Sequence, residues 1–181
     1  MKIFENAEKK AEMDKNTIEI ERKYIIQMPN VSLFCGLSGF TESDITQIYL
    51  SAERGKTRRV RRRAGALGVE YTETVKERID GMSAHESERE ITENEYIRLS
   101  SEIAEGTKPI CKKRYTFLYL GQLFEIDVYP EWKRTAIMET ELDSREACPR
   151  MPEFIKIVRE VTGIRAYSNA SMSKEFPAED F

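Results

Sequence analysis

Residues 123–129, Leu-Phe-Glu-Ile-Asp-Val-Tyr, place acidic side chains between apolar ones at every second position. Successive side chains of a strand point to opposite faces, so this segment makes a strand with one oily and one charged side. Glu125 and Asp127 share the charged face, and Phe124, Ile126 and Val128 share the other. The pattern returns along the chain. Glu19, Glu21 and Lys23 fall on one face opposite Ile18, Ile20 and Tyr24, and Arg59 and Arg61 flank Val60. Thr74 and Lys76 flank Val75, while Glu86 with Glu88, Lys112 with Arg114, and Glu139 with Glu141 are further two-residue pairs. Such a chain must bring several strands together with their charged faces turned to a common space.

Period-two segments predict strands over 17–27, 45–52, 57–64, 69–78, 83–91, 110–120, 122–130 and 134–142. Short polar or glycine-containing connections join most of them, as in an antiparallel barrel or strongly curved sheet. Three segments read as helices. Residues 41–45 have Thr41 or Ser43 as a cap, and residues 92–104 open with the capping box Thr92 and Glu95. Residues 152–162 start at Pro152, carry Phe154, Ile155, Val158 and Val161, and stop at Gly163. Residues 1–16 read as a polar lead-in, and residues 17–181 as a single domain, mainly β in an α+β arrangement.

The chain of 181 residues is 34% charged, but 29 basic residues nearly cancel 32 acidic ones, leaving a formal charge of −3. So weak a net field gives no general reason to bind nucleic acid or membrane. The basic run 58–63 does not change this, because alternation leaves only Arg58 and Arg62 on the outer face. Cys35, Cys111 and Cys148 are widely spaced and His85 is the sole histidine, so no disulfide framework or thiolate zinc site is indicated. The charged start MKIFENAEKKAEMDK lacks the apolar stretch of a secretory signal, and no run is long enough to span a bilayer. A soluble, cytoplasmic protein is expected.

The paired faces together hold eight carboxylates (Glu19, Glu21, Glu86, Glu88, Glu125, Asp127, Glu139, Glu141) and six cations (Lys23, Arg59, Arg61, Lys76, Lys112, Arg114). A single such pair is ordinarily the solvated side of a sheet. Seven in succession, with both signs, point to a surface closed on itself as a wet, charged tunnel. Unpaired ions there would cost several kcal/mol each, so partners are expected. Carboxylates suit hard divalent cations, Mg²⁺ or Mn²⁺, while arginine and lysine suit phosphate oxygens. A metal–polyphosphate needs both at once.

In order and spacing, these segments resemble the CYTH domain proteins, or triphosphate tunnel metalloenzymes, whose first-strand motif Glu-x-Glu-x-Lys stands here as Glu19-Ile-Glu-Arg-Lys23. The resemblance runs from about residue 17 to 174 and takes in Gln47-Ile-Tyr-Leu50, Arg59-Val-Arg61, Thr74-Val-Lys76, Glu86-Ser-Glu88, Lys112-Lys-Arg114-Tyr115, Glu125-Ile-Asp127, Glu139-Thr-Glu141 and Arg165-Ala-Tyr-Ser-Asn169. It implies an eight-stranded antiparallel β-barrel tunnel with flanking helices, and metal-dependent hydrolysis of a triphosphate. By position it assigns Glu19, Glu21, Glu139 and Glu141 to the metal that engages the phosphates. Asp127, with Glu86 and Glu88, would hold a second metal or orient water. Lys23, Arg59, Arg61, Lys76, Lys112 and Arg114 would clamp the triphosphate. The catalytic set is Glu88, Asp127 and Lys23, with Glu88 or Asp127 accepting the water's proton.

Inorganic tripolyphosphate is the expected substrate. The alternatives are a nucleoside or thiamine triphosphatase, a class IV-type adenylyl cyclase, or a non-catalytic polyphosphate-binding module. The expected partner is therefore a triphosphate-containing small molecule, not nucleic acid or membrane; the oligomeric state is open, with a homodimer among the options. Trp132 is either an aromatic platform at the tunnel mouth or, the preferred reading, a loop anchor. Tyr49 is either a hydrogen-bonding neighbour of Lys23 or a buried barrel tyrosine.

Overall fold

The computed structural model describes residues 17–179. The polar lead-in expected over 1–16 lies outside the described residues. Eight strands form the barrel: β1 (Thr17–Gln27), β2 (Thr41–Leu50), β3 (Lys56–Gly65), β4 (Gly68–Arg78), β5 (Ser83–Glu90), β6 (Ile110–Tyr119), β7 (Gln122–Val128) and β8 (Thr135–Glu141). Their spatial order is β5-β4-β3-β2-β6-β7-β8-β1, and β1 pairs back onto β5 to close the ring. Every pairing is antiparallel.

Closure depends on a division of labour along β1. Residues 17–20 pair with β5, whereas 21–27 pair with β8 on the other edge. The edge left free at Tyr24–Ile26 is taken by a short ninth strand, β9 (Ile157–Glu160). That strand replaces the helix expected over 152–162. Ile155, Ile157, Val158 and Val161 are β-branched and suit a strand, and the backbone of β1 supplies the partners: Gln27 N donates to Lys156 O at 2.9 Å, and Val161 N donates to Lys23 O at 2.8 Å. The helix expected at 41–45 is likewise absent. Those residues begin β2, which bonds β3 on one side and β6 on the other, so tertiary pairing overrides the local capping signal.

The remaining expected helix is present but shorter, as α1 (Glu93–Ser100), with both halves of the Thr92–Glu95 capping box formed. A four-residue α2 (Asn169–Met172) lies near the C-terminus. No helix among the described residues is long and apolar enough to cross a membrane.

The outward faces are covered more by irregular chain than by helices. Tyr24, Ile26, Phe117, Phe124 and Met138 pack under the segments that carry Phe34, Phe40, Phe154 and Ile155. Ile48, Leu50 and Val60 pack under Leu99 and Tyr96 of α1. A third cluster breaks the expectation that the interior is charged throughout. Ile25, Ile110, Tyr129 and Ile137 lie on the inward parity of their strands, and they join Tyr167 and Met172 of the C-terminal segment as an apolar filling at one end of the barrel.

Candidate active site

The β1–β8 register stacks the interior in layers. Ile25 faces Ile137, Lys23 faces Glu139, and Glu21 faces Glu141. Moving along the strands therefore leads from apolar filling, through an opposed ion pair, to two opposed carboxylates.

The middle layer is a closed network. Asp127, 1% exposed, receives Arg114 Nε and an Arg114 terminal nitrogen at 2.7 Å each, and Lys112 Nζ at 2.5 Å. Arg114 also bonds Glu125 and reaches Glu139 at 3.2 Å, and Lys23 Nζ sits 2.6 Å from Glu139. Burial alone would push Glu139 toward the neutral acid. Lys23, Arg114 and Lys112 outweigh it and hold the carboxyl well below the usual range. Asp127 is lowered in the same way, burial being overcome by Arg114 and Lys112. Burial, with Arg114 nearby, pushes the Lys112 ammonium down to about 8 despite Asp127 beside it.

The outer layer is not balanced in this way. Glu141 forms no salt bridge among the described residues, and Glu21 has only Lys23 at 3.7 Å. Burial raises Glu19 to about 7, with Lys76 opposing and the charges on Glu86 and Glu141 adding to the rise. Glu141 is raised by burial and then by Glu125, Glu21 and Glu86. Lys76 Nζ stands 2.7 Å from Glu19 and 3.3 Å from Glu86. Opposite these acids, β3 carries Arg59 and Arg61. Arg59 lies 3.6 Å from Glu86, but its Nε is buried with no hydrogen-bond partner among the described residues. Arg61 lies 3.0 Å from Glu88, which also accepts a 2.7 Å bond from Thr74 Oγ1.

These side chains line a cavity of about 1290 Å³. Apart from Lys56 and Arg58, which edge it from the outer face of β3 and pair with Glu53 and with Glu73 and Glu102, ten lysines and arginines line it against eight carboxylates, an excess of two positive charges. The whole chain is acidic at −3, so cationic charge is concentrated in the cavity. Every residue assigned from the sequence to the clamp or metal set lines it, except Asp127, which is buried behind the wall. Arg63 and Arg78 line it too. Both follow from Arg61 and Lys76 by the same period of two. Arg165, Ser168, Asn169 and Lys174 also contribute to the wall, and for these only tertiary packing of the C-terminal segment decides the placement.

Trp132 does not line the cavity. It is 4% exposed, packs on Tyr129, Tyr167 and Phe176, and donates from Nε1 to Pro177 O at 3.0 Å, as a loop anchor does. Tyr49 is a buried barrel tyrosine, 8% exposed, whose hydroxyl receives Gln47 Nε2 at 3.3 Å.

Among the described residues no three His, Cys, Asp or Glu side chains gather closely enough to cage a metal ion. The donor set nonetheless fits Mg²⁺ or Mn²⁺. Glu21 and Glu141 are directly opposed on one face, and like charges so placed are unfavourable without a counter-ion. Mg²⁺ is commonly held by one or two carboxylates, with phosphate oxygens and waters completing its shell. Asp127, Glu139 and Glu88, also assigned as metal or water ligands, are each engaged by cations here.

A closed eight-stranded antiparallel barrel with opposed basic and acidic walls is the CYTH-like, triphosphate tunnel architecture that the motif order implied. The solved structures bear this out. The inorganic triphosphatase NE1496 is 26% identical, with a TM-score of 0.54 over 88% of this chain and 97% of its own. Another structure of NE1496, described as a hypothetical protein, gives 0.55 at 26% identity over 88% of this chain and 99% of that one. The PH1819 protein of Pyrococcus horikoshii OT3 shares the fold at 19% identity and a TM-score of 0.53, over 70% of this chain and 80% of its own. No family model matches the chain, and no curated protein matches it significantly.

Proposed function

We propose that this protein is a divalent-metal-dependent triphosphatase whose principal substrate is inorganic tripolyphosphate. The observation that carries this reading is the cavity itself. An excess of two positive charges suits a polyanion, while the opposed Glu21 and Glu141 on the facing wall call for a cation. Likeness to the inorganic triphosphatase NE1496 supports it.

Arg59, Arg61 and Lys76 would bind the phosphoryl oxygens, with Arg59 Nε–H, unpartnered among the described residues, supplying a free donor. Glu21 and Glu141, with Glu19 beside them, would hold Mg²⁺ or Mn²⁺, which when bound neutralises charge on the phosphoryl group. Lys23 fixes Glu139 and borders Glu21, setting the boundary between the locked and open layers. Of the two carboxylates considered as proton acceptor, Glu88 is the accessible one. Its side chain is 33% exposed, whereas that of Asp127 is 1% exposed and already bonded to two cations. Glu88 would orient the attacking water and take its proton, with Arg61 and Thr74 holding the carboxylate in place.

The absence of an aromatic platform favours an inorganic substrate over a nucleotide or thiamine ester. Among the described residues Tyr49 is the only aromatic side chain lining the cavity, and it is nearly buried. The three cysteines are free, which suits a cytoplasmic location. The test is incubation with Mg²⁺ or Mn²⁺ and, separately, tripolyphosphate, ATP and thiamine triphosphate, measuring phosphate, pyrophosphate and cyclic AMP. Orthophosphate released fastest from tripolyphosphate is the expected result. No product from any substrate would rule out the enzyme reading.

A further inference from the structure

We propose that Asn169 is a substrate-contacting residue, its side-chain NH₂ held toward the phosphates by the buried hydroxyl of Tyr129. This rests on the triphosphatase reading above and adds a neutral donor that the charged motifs do not contain.

Tyr129 is 1% exposed and its ring packs between Trp132 and Phe176, so its hydroxyl is fixed in position. That hydroxyl lies 2.8 Å from Asn169 Oδ1 and 3.5 Å from Asp127 Oδ2. Asp127 is already supplied by Lys112 and by two nitrogens of Arg114. The single phenolic proton therefore goes to the nearer acceptor, Asn169 Oδ1. A carboxamide whose oxygen is held in this way is kept from flipping, so that Nδ2 is the end turned from Tyr129.

Asn169 belongs to the wall of the cavity, beside Ser168, Ser171 and Lys174. Among the described residues its Nδ2 has no protein partner, whereas most cations of the opposite walls are tied to carboxylates. A donor of this kind, already oriented before substrate arrives, gains a charge-assisted hydrogen bond when a phosphate oxygen enters. Tyr129 is then a positioning residue: it touches no substrate and acts through Asn169.

Steady-state kinetics on tripolyphosphate with Mg²⁺ test this. Asn169→Asp keeps the acceptor for Tyr129 but turns a carboxylate oxygen to the cavity, and it should raise KM about tenfold or more, with thermal unfolding unchanged. Tyr129→Phe should raise KM less, because the amide is still present but free to flip. In an Asn169→Ala background, Tyr129→Phe should add nothing to KM; a merely structural role for the tyrosine predicts additive losses instead. Wild-type turnover with an unchanged KM for Asn169→Asp, or additive effects in the pair, would overturn this assignment alone. Absence of wild-type turnover on every triphosphate would remove the functional reading beneath it as well.

Discussion

Glu139 and Glu141 sit two residues apart on β8, face the same interior and oppose successive inward positions of β1, yet their surroundings drive them in opposite directions. Glu139 meets Lys23 and Arg114 and is held strongly ionised. Glu141 meets Glu21 across the ladder and is pushed toward protonation by burial and three neighbouring carboxylates. The first belongs to a layer whose charges are satisfied by the protein. The second belongs to a layer whose acids the protein leaves unbalanced. One strand thus supplies both a paired carboxylate and an unpaired one, and the difference is set by the residue opposite: lysine in one case, glutamate in the other.

The most damaging way to break the comparison is to open the inner layer. Asp127→Ala leaves Arg114 and Lys112 buried without their main counter-ion, a change that typically costs about 3–5 kcal/mol. Chemical denaturation should show that loss, and a loss below about 1 kcal/mol would mean the network is not the structural base described here.

In the outer layer the same kind of substitution should do the reverse. Glu141→Gln or Glu21→Ala removes one of two opposed carboxylates, so unfolding should be unchanged or slightly harder, by under about 1 kcal/mol. Turnover with Mg²⁺ should fall by about 100-fold or more, the scale seen when a charge-stabilising group is removed from an active site. Folding and catalysis would thus separate between layers only one side-chain pair apart.

The two layers also predict opposite slopes of stability with pH in metal-free protein. For Glu139 and Asp127 the folded pKa is depressed, so their contribution is present above the ordinary carboxylate value and is lost as pH falls below it. Glu19 and Glu141 are raised, Glu19 from 4.5 to about 7, so their contribution is complete below 4.5 and is lost as pH rises toward 7. Thermal unfolding in the presence of a chelator should therefore pass through a maximum on the acid side of neutrality. Glu19→Gln should flatten the neutral limb and leave the acid limb alone. A profile unaffected by that substitution would show that Glu19 is not under the strain described.

Much of this was written in the alternation of residues. All eight barrel strands, and the sorting of Glu19, Arg59, Lys76 and Glu139 onto one face, follow from a period of two because a strand has only two faces. What alternation does not carry is which residue stands opposite which. That depends on register, and register separates Lys23–Glu139 from Glu21–Glu141. Nor does it carry the strand at 157–160, whose apolar spacing fits helix and strand alike until the free edge of β1 selects the strand. The inward Ile25, Ile110 and Ile137 continue the alternating parity, but apolar side chains there predict an ordinary core and give no sign that a C-terminal segment packs onto them.

The smallest effect is expected from Glu77, and it tests the face assignment on which the comparison stands. Glu77 follows Lys76 on β4, is exposed, and pairs in register with Lys56 and His85 on the outer surface. Like Glu21 it is a glutamate close in sequence to a cavity-lining lysine, but it occupies the other side of its strand. Glu77→Ala should change stability by less than about 0.5 kcal/mol, as surface substitutions ordinarily do, and should leave the rate of tripolyphosphate hydrolysis unaltered. If instead it matched Glu21→Ala in lost turnover, inward parity would no longer distinguish site residues from solvated ones, and the layered reading of the interior would have to be abandoned.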